Sequence, residues 1–350
     1  MQGDCIGTGK MASAIPGRSI KPPIAPPGSV FLTGAAPSDP IPCPMPTCYV
    51  TCPSWALEGP EDRARVTARA ARGAAALGAR PVFSPLLDRF TEPQSWLDGG
   101  IRSDDLLRAF DHDVVWSARG GHGAIHLVPT LMEHQPTRQP PLLIAYSAGT
   151  ALHACWRARG WGESWYGSLV SIEQSGRGYD ALARLARGDG FRRDRGTDPM
   201  VRAVHPGQAR GTLVAGCLSV LGWLTGTAAA RPFRDCILAI EDLEITPFTA
   251  DYCLHQLHQA GLLEGLRGLI GGGFTDMLSV RTPIAVRDLI EEWALRLGVP
   301  AITDLPFGHC DDALVLPNGR EVDLTVARDG SWSLDIPPYR GNLTWLRGKS

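Results

Sequence analysis

The chain has 350 residues, 44% of them hydrophobic and 20% charged, with a formal charge of −2. That length and apolar content support a globular core with room for two domains. The near-balanced charge gives no basis for partners such as nucleic acid or an anionic membrane, and no apolar run reaches membrane-spanning length. The cysteines, nine in number, are scattered, and only Cys48 and Cys52 stand close, at a four-residue step. This is neither a zinc signature nor a disulfide framework, so reduced, buried thiols in a cytoplasmic protein are expected.

Residues 1–46 are rich in Pro, Gly and Ser and lack periodicity, which predicts a loosely draped or disordered tail without a secretory apolar core. Residues 47–157 read as an N-terminal domain. Cys48–Cys52 is a first strand, 61–78 an Ala/Arg-rich helix stopped at Gly78, and Arg80–Phe83 a second strand. Ser103–Phe110 reads as an N-capped helix, Val114–Ser117 as a third strand, and Ile125–Leu131 as another helix before the apolar strand Leu142–Ala145. Strands alternating with helices predict an α/β fold whose parallel sheet is covered on both faces. In such sheets ligands bind at the carboxyl ends of the strands.

From 158 to 210 the pattern loosens to Arg, Gly and Asp, with one short helix near Tyr179–Ala186, as in a linker that walls a pocket. Residues 211–350 read as a C-terminal domain. Leu213–Leu224 has helical spacing, Cys236–Ile240 is a buried strand ending in Glu241-Asp242, and Thr249–Ala260 is a helix stopped by Gly261. Leu266–Gly272 is a glycine-ended strand, Ile284–Leu297 a helix, and Pro300–Thr303 leads to Gly308-His309. Apolar and polar residues alternate from Ala313 to Leu346, with Asn318-Gly319 as the hairpin turn of a small antiparallel sheet.

Ser147 stands where a strand becomes a helix, beside the helix's first free N–H groups, which can hold a developing oxyanion. It is a candidate nucleophile; its plainer reading is a helix N-cap. Glu241 and His309 likewise follow apolar runs at strand ends. A serine needs a base to become a nucleophile, and a histidine base needs an acid to orient it. Taken singly, Glu241 also fits a salt-bridged strand terminus and His309 a loop histidine. The amides of Arg119-Gly120-Gly121-His122-Gly123 suit an oxyanion or a substrate carboxylate, or simply a tight turn. The run is not G-x-G-x-x-G and lacks the following acid, so no dinucleotide is expected. His122 and His126, and His255 and His258, have helical spacing without an H-E-x-x-H context, so they read as solvated and no metal is expected.

These residues, in order, resemble the motifs of the LD-carboxypeptidase family. The matching stretches are Arg119–Gly123, Tyr146–His153, Ile240–Asp242 and Gly308-His309, with weaker matches at Gln256–Gly261 and Leu316–Gly319. This serine peptidase family (S66) includes the microcin C self-immunity peptidases. The resemblance runs from about Cys48 to Asp323. It implies a Rossmann-like or flavodoxin-like N-terminal domain, a C-terminal α/β domain with barrel-like character, and often a homodimer. It also implies Ser147 as nucleophile, His309 as base, Glu241 as orienting acid, and an oxyanion hole from Ala148 N–H and a glycine N–H of the Arg119 loop, Gly121. No metal or organic cofactor is implied, and the substrate is a small peptide or aminoacyl compound cleaved near a free carboxylate.

Departures from the pattern surround these positions. The family's Asp after the serine is Ala148, its His-Gly-Pro is Tyr166-Gly167-Ser168, and its Gly-Gly-Asn-Leu is Arg210–Leu213. Its second glutamate falls at Ile245, and its Asp-Arg pair reads Asp251-Tyr252. Changed polar groups around retained catalytic types leave two further readings. One is an acyltransferase or cyclase that resolves the acyl-enzyme with an amine or hydroxyl; the other is a non-catalytic binding protein. Ala145–Gly149 also approaches the G-x-S-x-G of α/β-hydrolases, though the Arg119 loop and Gly308-His309 do not fit that fold.

Overall fold

The computed structural model describes residues 45–90, 99–167, 176–275 and 285–339. All but the last two residues of the expected N-terminal tail lie outside these ranges, as does the chain beyond 339. The strands of the first half are β1 (Thr47–Thr51), β2 (Arg80–Phe83), β3 (Val114–Ser117), β4 (Leu142–Ala145) and β5 (Ser164–Tyr166). Next come β6 (Phe191–Asp194), β7 (Arg202–His205), β8 (Gly207–Cys217), β9 (Cys236–Leu243) and β10 (Gly268–Thr275). The chain continues through β11 (Ala301–Thr303), β12 (Leu316–Asn318), β13 (Glu321–Val326) and β14 (Trp332–Ile336).

β1 to β5 form a parallel sheet in the order 2-1-3-4-5, and β12 adds antiparallel to β5 at its edge. β3 and β4 are buried at every position, which is why Val-Val-Trp-Ser and Leu-Leu-Ile-Ala run on without polar alternation. Alternate residues feed two cores. Val50, Trp116 and Ile144 pack with the helix Pro60–Leu77; Val115, Leu143 and Ala145 pack with Leu106, Leu131 and Leu152 from the opposite face. Because the strands are parallel, the Arg119 loop after β3 and Ser147 after β4 leave the sheet at one edge.

The second sheet runs β6-β14-β13-β8-β9-β10-β11-β7. Its centre, β8 to β11, is parallel, and its flanks are antiparallel. It ends at β6 and β7 as an open sheet and does not close into a barrel. The helices Pro247–Gln259 and Val286–Leu297 cover one face. The other shares an apolar core with the first sheet, reaching from Trp165 and Leu182 to Ala239, Ile270 and Leu324.

Several local expectations are corrected. Residues 213–217 complete β8 rather than opening a helix, and only Leu218–Trp223 is helical. A strand covered on both faces is apolar without alternation, so its pattern mimics a buried helix. The loosely patterned stretch 158–210 contains β5, β6 and β7. β6 carries Arg192 and Arg193, bonded to Asp335 and Asp198, and such polar edges mask the strand signal. Ser103 lies within the helix Gly99–Arg108 rather than capping it.

Asn318-Gly319 is not a hairpin turn within one sheet; there the chain crosses from the first sheet to the second. Asn318 Oδ1 accepts the Ala215 N–H at 2.6 Å and its Nδ2 donates to Ala215 O at 3.0 Å, so the side chain stitches β12 to β8. Beside it Arg320 donates to both oxygens of Glu163, at 2.9 and 2.6 Å, with both side chains 5% exposed. Burial pushes the Glu163 carboxyl up and Arg320 pulls it back, leaving it above its ordinary value. Breaking such a pair from one side leaves an uncompensated buried charge. Arg320→Ala is therefore expected to lower unfolding stability by about 3–5 kcal/mol, and pairing it with Glu163→Gln to recover part of that loss, read from denaturant midpoints.

Candidate active site

The apolar strand β4 ends at Ala145, and after Tyr146 a single tight turn, Ser147–Gly149, starts the helix Thr150–Arg159. Ser147 takes φ 56°, a left-handed conformation that costs a non-glycine residue energy and lifts its side chain out of the strand line. A serine on such a strained strand-to-helix turn is a candidate nucleophile. Its small neighbours are needed: a Cβ on Gly149 would fall 2.6 Å from Ala145 Cβ. Thr150 Oγ1 accepts the Cys217 N–H at 2.9 Å and thereby docks the elbow helix onto the end of β8. His153, in the same motif, is structural. Its ring bonds Ser164 Oγ at 2.7 Å and Ala145 O at 3.0 Å, and burial drops its pKa to about 4.

β9 continues beyond Ile240, and Glu241 and Asp242 point to opposite faces of it, as strand alternation requires. Asp242 accepts the Ser219 N–H at 2.7 Å and so fixes the start of the helix after β8. Glu241, with no exposure, accepts three hydrogen bonds. Tyr166 Oη donates to Oε1 at 2.5 Å; His309 Nδ1 and His309 N–H reach Oε2 at 2.7 and 3.0 Å. Tyr166 Oη in turn accepts the Ser147 N–H at 3.0 Å. The His309 ring lies 5.3 Å from that of Tyr146, the residue before the candidate nucleophile. Hydrogen bonds thus link the Ser147 main chain through Tyr166 to Glu241 and His309 at the carboxyl edge of both sheets, while among the described residues none joins the Ser147 hydroxyl to the His309 ring.

The His309 loop rests on the glycines of β10. Leu305 N–H bonds Gly271 O at 3.0 Å and Gly273 N–H bonds Phe307 O at 3.1 Å, while a Cβ on Gly272 would strike the Phe307 ring at 2.4 Å. Gly308, at φ 89°, allows the close pass: a Cβ there would fall 2.2 Å from Glu241 Cγ. Asp312 pins the loop's far end by accepting the Arg177 N–H at 2.8 Å, at the start of the helix Gly176–Ala186. Burial pulls the His309 imidazole down, but the bond and charge of Glu241, with Asp242 and Glu244, outweigh it and hold the pKa above its ordinary value.

Of the loop after β3, Gly120 abuts Ser147: a Cβ there would fall 2.7 Å from Ser147 Cβ, 2.9 Å from its Oγ and 3.8 Å from Ala148 N. Gly121, at φ 105°, instead faces Trp55, whose half-exposed ring a Cβ would meet at 2.4 Å. The Arg119 guanidinium is engaged with Glu58 at 3.2 Å, Asp62 at 3.4 Å and Ala56 O at 3.2 Å, so it fastens the loop to the start of the helix Pro60–Leu77. The His122 and His126 rings stand edge to face at 5.8 Å, and the His255 and His258 rings each pack on Trp293. Among the described residues no group of three or more His, Cys, Asp or Glu is placed to hold a metal ion. Sequence reasoning gave Tyr166 no function; its one signal was that it departs from the family motif, since its partners lie 19 and 75 residues away.

Residues 49–167 match the LD-carboxypeptidase N-terminal domain and residues 210–324 the LD-carboxypeptidase C-terminal domain. A protein of Streptomyces coelicolor, provisionally named a carboxypeptidase, is 30% identical over 272 residues, which cover 73% of this chain and 84% of that one. A Bacillus subtilis protein, provisionally named a murein peptide carboxypeptidase, is 25% identical over 236 residues, 65% of this chain and 74% of that one. Muramoyltetrapeptide carboxypeptidase from Oxalobacter formigenes shares the fold with a TM-score of 0.67 at 20% identity, over 84% of this chain and 100% of that one. The microcin C7 self-immunity protein MccF does so at 0.67 and 15%, over 84% and 96%.

The buried Glu241–His309 pair has a measurable signature. Replacing the carboxylate by an amide removes the charge that holds the imidazole up and leaves the burial that pulls it down. In Glu241→Gln the His309 midpoint, followed by NMR titration of the ring, is expected to drop from above about 6.5 to below it.

Proposed function

The chain belongs to the LD-carboxypeptidase family of serine peptidases, and from that membership and the site's geometry we propose that Ser147, His309 and Glu241 work as nucleophile, general base and orienting acid. The observation that carries this reading is the 2.7 Å bond from His309 Nδ1 to the fully buried Glu241, beside a serine held at φ 56°. With Nδ1–H given to the acid, Nε2 is the basic nitrogen. It takes the Ser147 hydroxyl proton as Oγ attacks the substrate carbonyl. The negative oxygen that forms is met by the Ala148 N–H and by an amide of the Gly120–Gly121 turn. His309 then gives its proton to the leaving amine, and the acyl-enzyme is released by a water that His309 deprotonates. The acid stays charged throughout and stabilises the transient imidazolium. These steps call on no metal or organic cofactor.

The substrate is a small peptide or aminoacyl compound with a free carboxylate near the cleaved amide. Relatives named for murein peptide and muramoyltetrapeptide substrates, and an MccF complex with glutamyl sulfamoyl guanosine, support that class. Ala148, Ile245 and Tyr252 stand where the family pattern carries charged side chains, so the polar groups that grip the substrate are this chain's own.

Ser147→Ala is expected to reduce peptide hydrolysis by at least about 10³-fold without changing the folded structure; activity equal to wild type overturns the reading. The base must be neutral to act. The rate is therefore expected to rise with pH through the His309 pKa, on a limb centred above the ordinary histidine value of about 6.5, read from kcat/KM against pH.

A further inference from the structure

Tyr166 does something that neither the nucleophile, the base nor the acid can do alone: it touches two of the elements that carry them. Its hydroxyl accepts the Ser147 N–H at 3.0 Å and donates to Glu241 Oε1 at 2.5 Å. The phenolic proton goes to Glu241 and the oxygen's lone pair takes the Ser147 N–H, a fixed sense, because an amide can only donate and an ionised carboxylate only accept. The ring has no freedom to change this arrangement. It is wholly buried at the end of β5, opposite Ala145 in register, between the rings of His153 at 5.5 Å and Phe307 at 6.3 Å.

Three consequences follow from those bonds. The Ser147 amide is consumed, so it holds the left-handed elbow rather than an oxyanion. Glu241 has one oxygen tied to the first sheet and the other to His309, so the carboxylate cannot rotate away from the imidazole. Its negative charge is also shared, so part of what would otherwise act on His309 is drawn toward the phenol. We propose that Tyr166 is a positioning residue that sets the nucleophile's backbone and the acid's orientation together, and tunes the basicity of His309 through Glu241. Burial and the Glu241 charge raise the phenol well above its ordinary value, so it stays a neutral donor.

This inference rests on the reading of Ser147, Glu241 and His309 as the catalytic groups, and its test separates the two. The other charged or titratable groups around the pair are unaltered by a change at 166. They are Asp242 and Glu244 in and after β9, Cys217 on β8, Cys310, Asp311 and Asp312 in the histidine loop, and Arg177. In Tyr166→Phe, Glu241 loses a donor and acts more strongly on His309. The acid limb of kcat/KM is expected to move up by about half a pH unit or more, kcat to fall about 10- to 100-fold, and KM to stay within about 2-fold.

A second variant moves the other way. Fluorinated tyrosine at 166 is a stronger donor, so it is expected to lower the His309 midpoint, and it keeps both bonds if the phenylalanine variant fails to fold. NMR titration of the His309 ring reads both variants without substrate. Wild-type rates with an unmoved limb in Tyr166→Phe, or an unmoved His309 midpoint in the fluorotyrosine protein, overturn the role given to Tyr166. Full activity in Ser147→Ala overturns the catalytic reading instead, and the titrations still judge the link from Tyr166 to Glu241.

Discussion

A carboxylate with no exposure at all, Glu241, is the constraint around which the candidate site is built. Taking such a charge out of water costs several kcal/mol unless it is paired and hydrogen-bonded. Here three donors from two separate parts of the chain offset that cost, a phenol from β5 and two N–H groups of one histidine. Moving any of these partners away would strand a buried charge. The buried acid therefore forces the end of β5, the end of β9 and the histidine loop to stay together.

The backbone around that acid is correspondingly specialised. Ser147, Glu244, Asp304 and Asp312 all adopt positive φ without being glycine, and the histidine loop runs over Gly271, Gly272 and Gly273 of β10. Strain of this kind persists only where the surroundings over-determine it. The surroundings do so here: the Ser147 amide is bonded, the Asp312 carboxylate caps a helix, and Gly308 passes where no side chain fits against Glu241. Neighbouring acids in one strand show how sharply position decides role. Glu241 faces the histidine, while Asp242, one residue on and turned to the opposite face, accepts main-chain and hydroxyl bonds at the start of a helix.

Much of this was legible in the residues alone, for a physical reason. Leu142–Ala145 is a fully buried strand, and helical spacing after it leaves Ser147 at the junction; a change of period is a local signal. Glu241 and His309 carried the same kind of signal, an apolar run ending in a polar side chain. What stayed hidden was non-local. Tyr166 reads as one more aromatic residue until its hydroxyl is seen between two partners distant in the chain. The last part of β8, residues 213–217, reads as a helix because burial on both faces erases alternation there. Asn318-Gly319 carries hairpin chemistry, but its side chain finds the backbone of Ala215 instead. Arg119 opens a glycine-rich loop whose amides were the legible feature, but that Glu58 and Asp62 hold its guanidinium was not legible.

The return of β12 to the first sheet has a consequence for how the protein is made. β5 is complete once residue 166 is synthesised, but the strand that closes its outer edge spans 316–318. A nascent chain emerging from the ribosome carries an open row of backbone donors and acceptors on β5 for some 150 further residues. Such an edge invites pairing with other chains. The short length of β5, three residues, limits that exposure until Asn318 and Arg320 arrive to lock the seam.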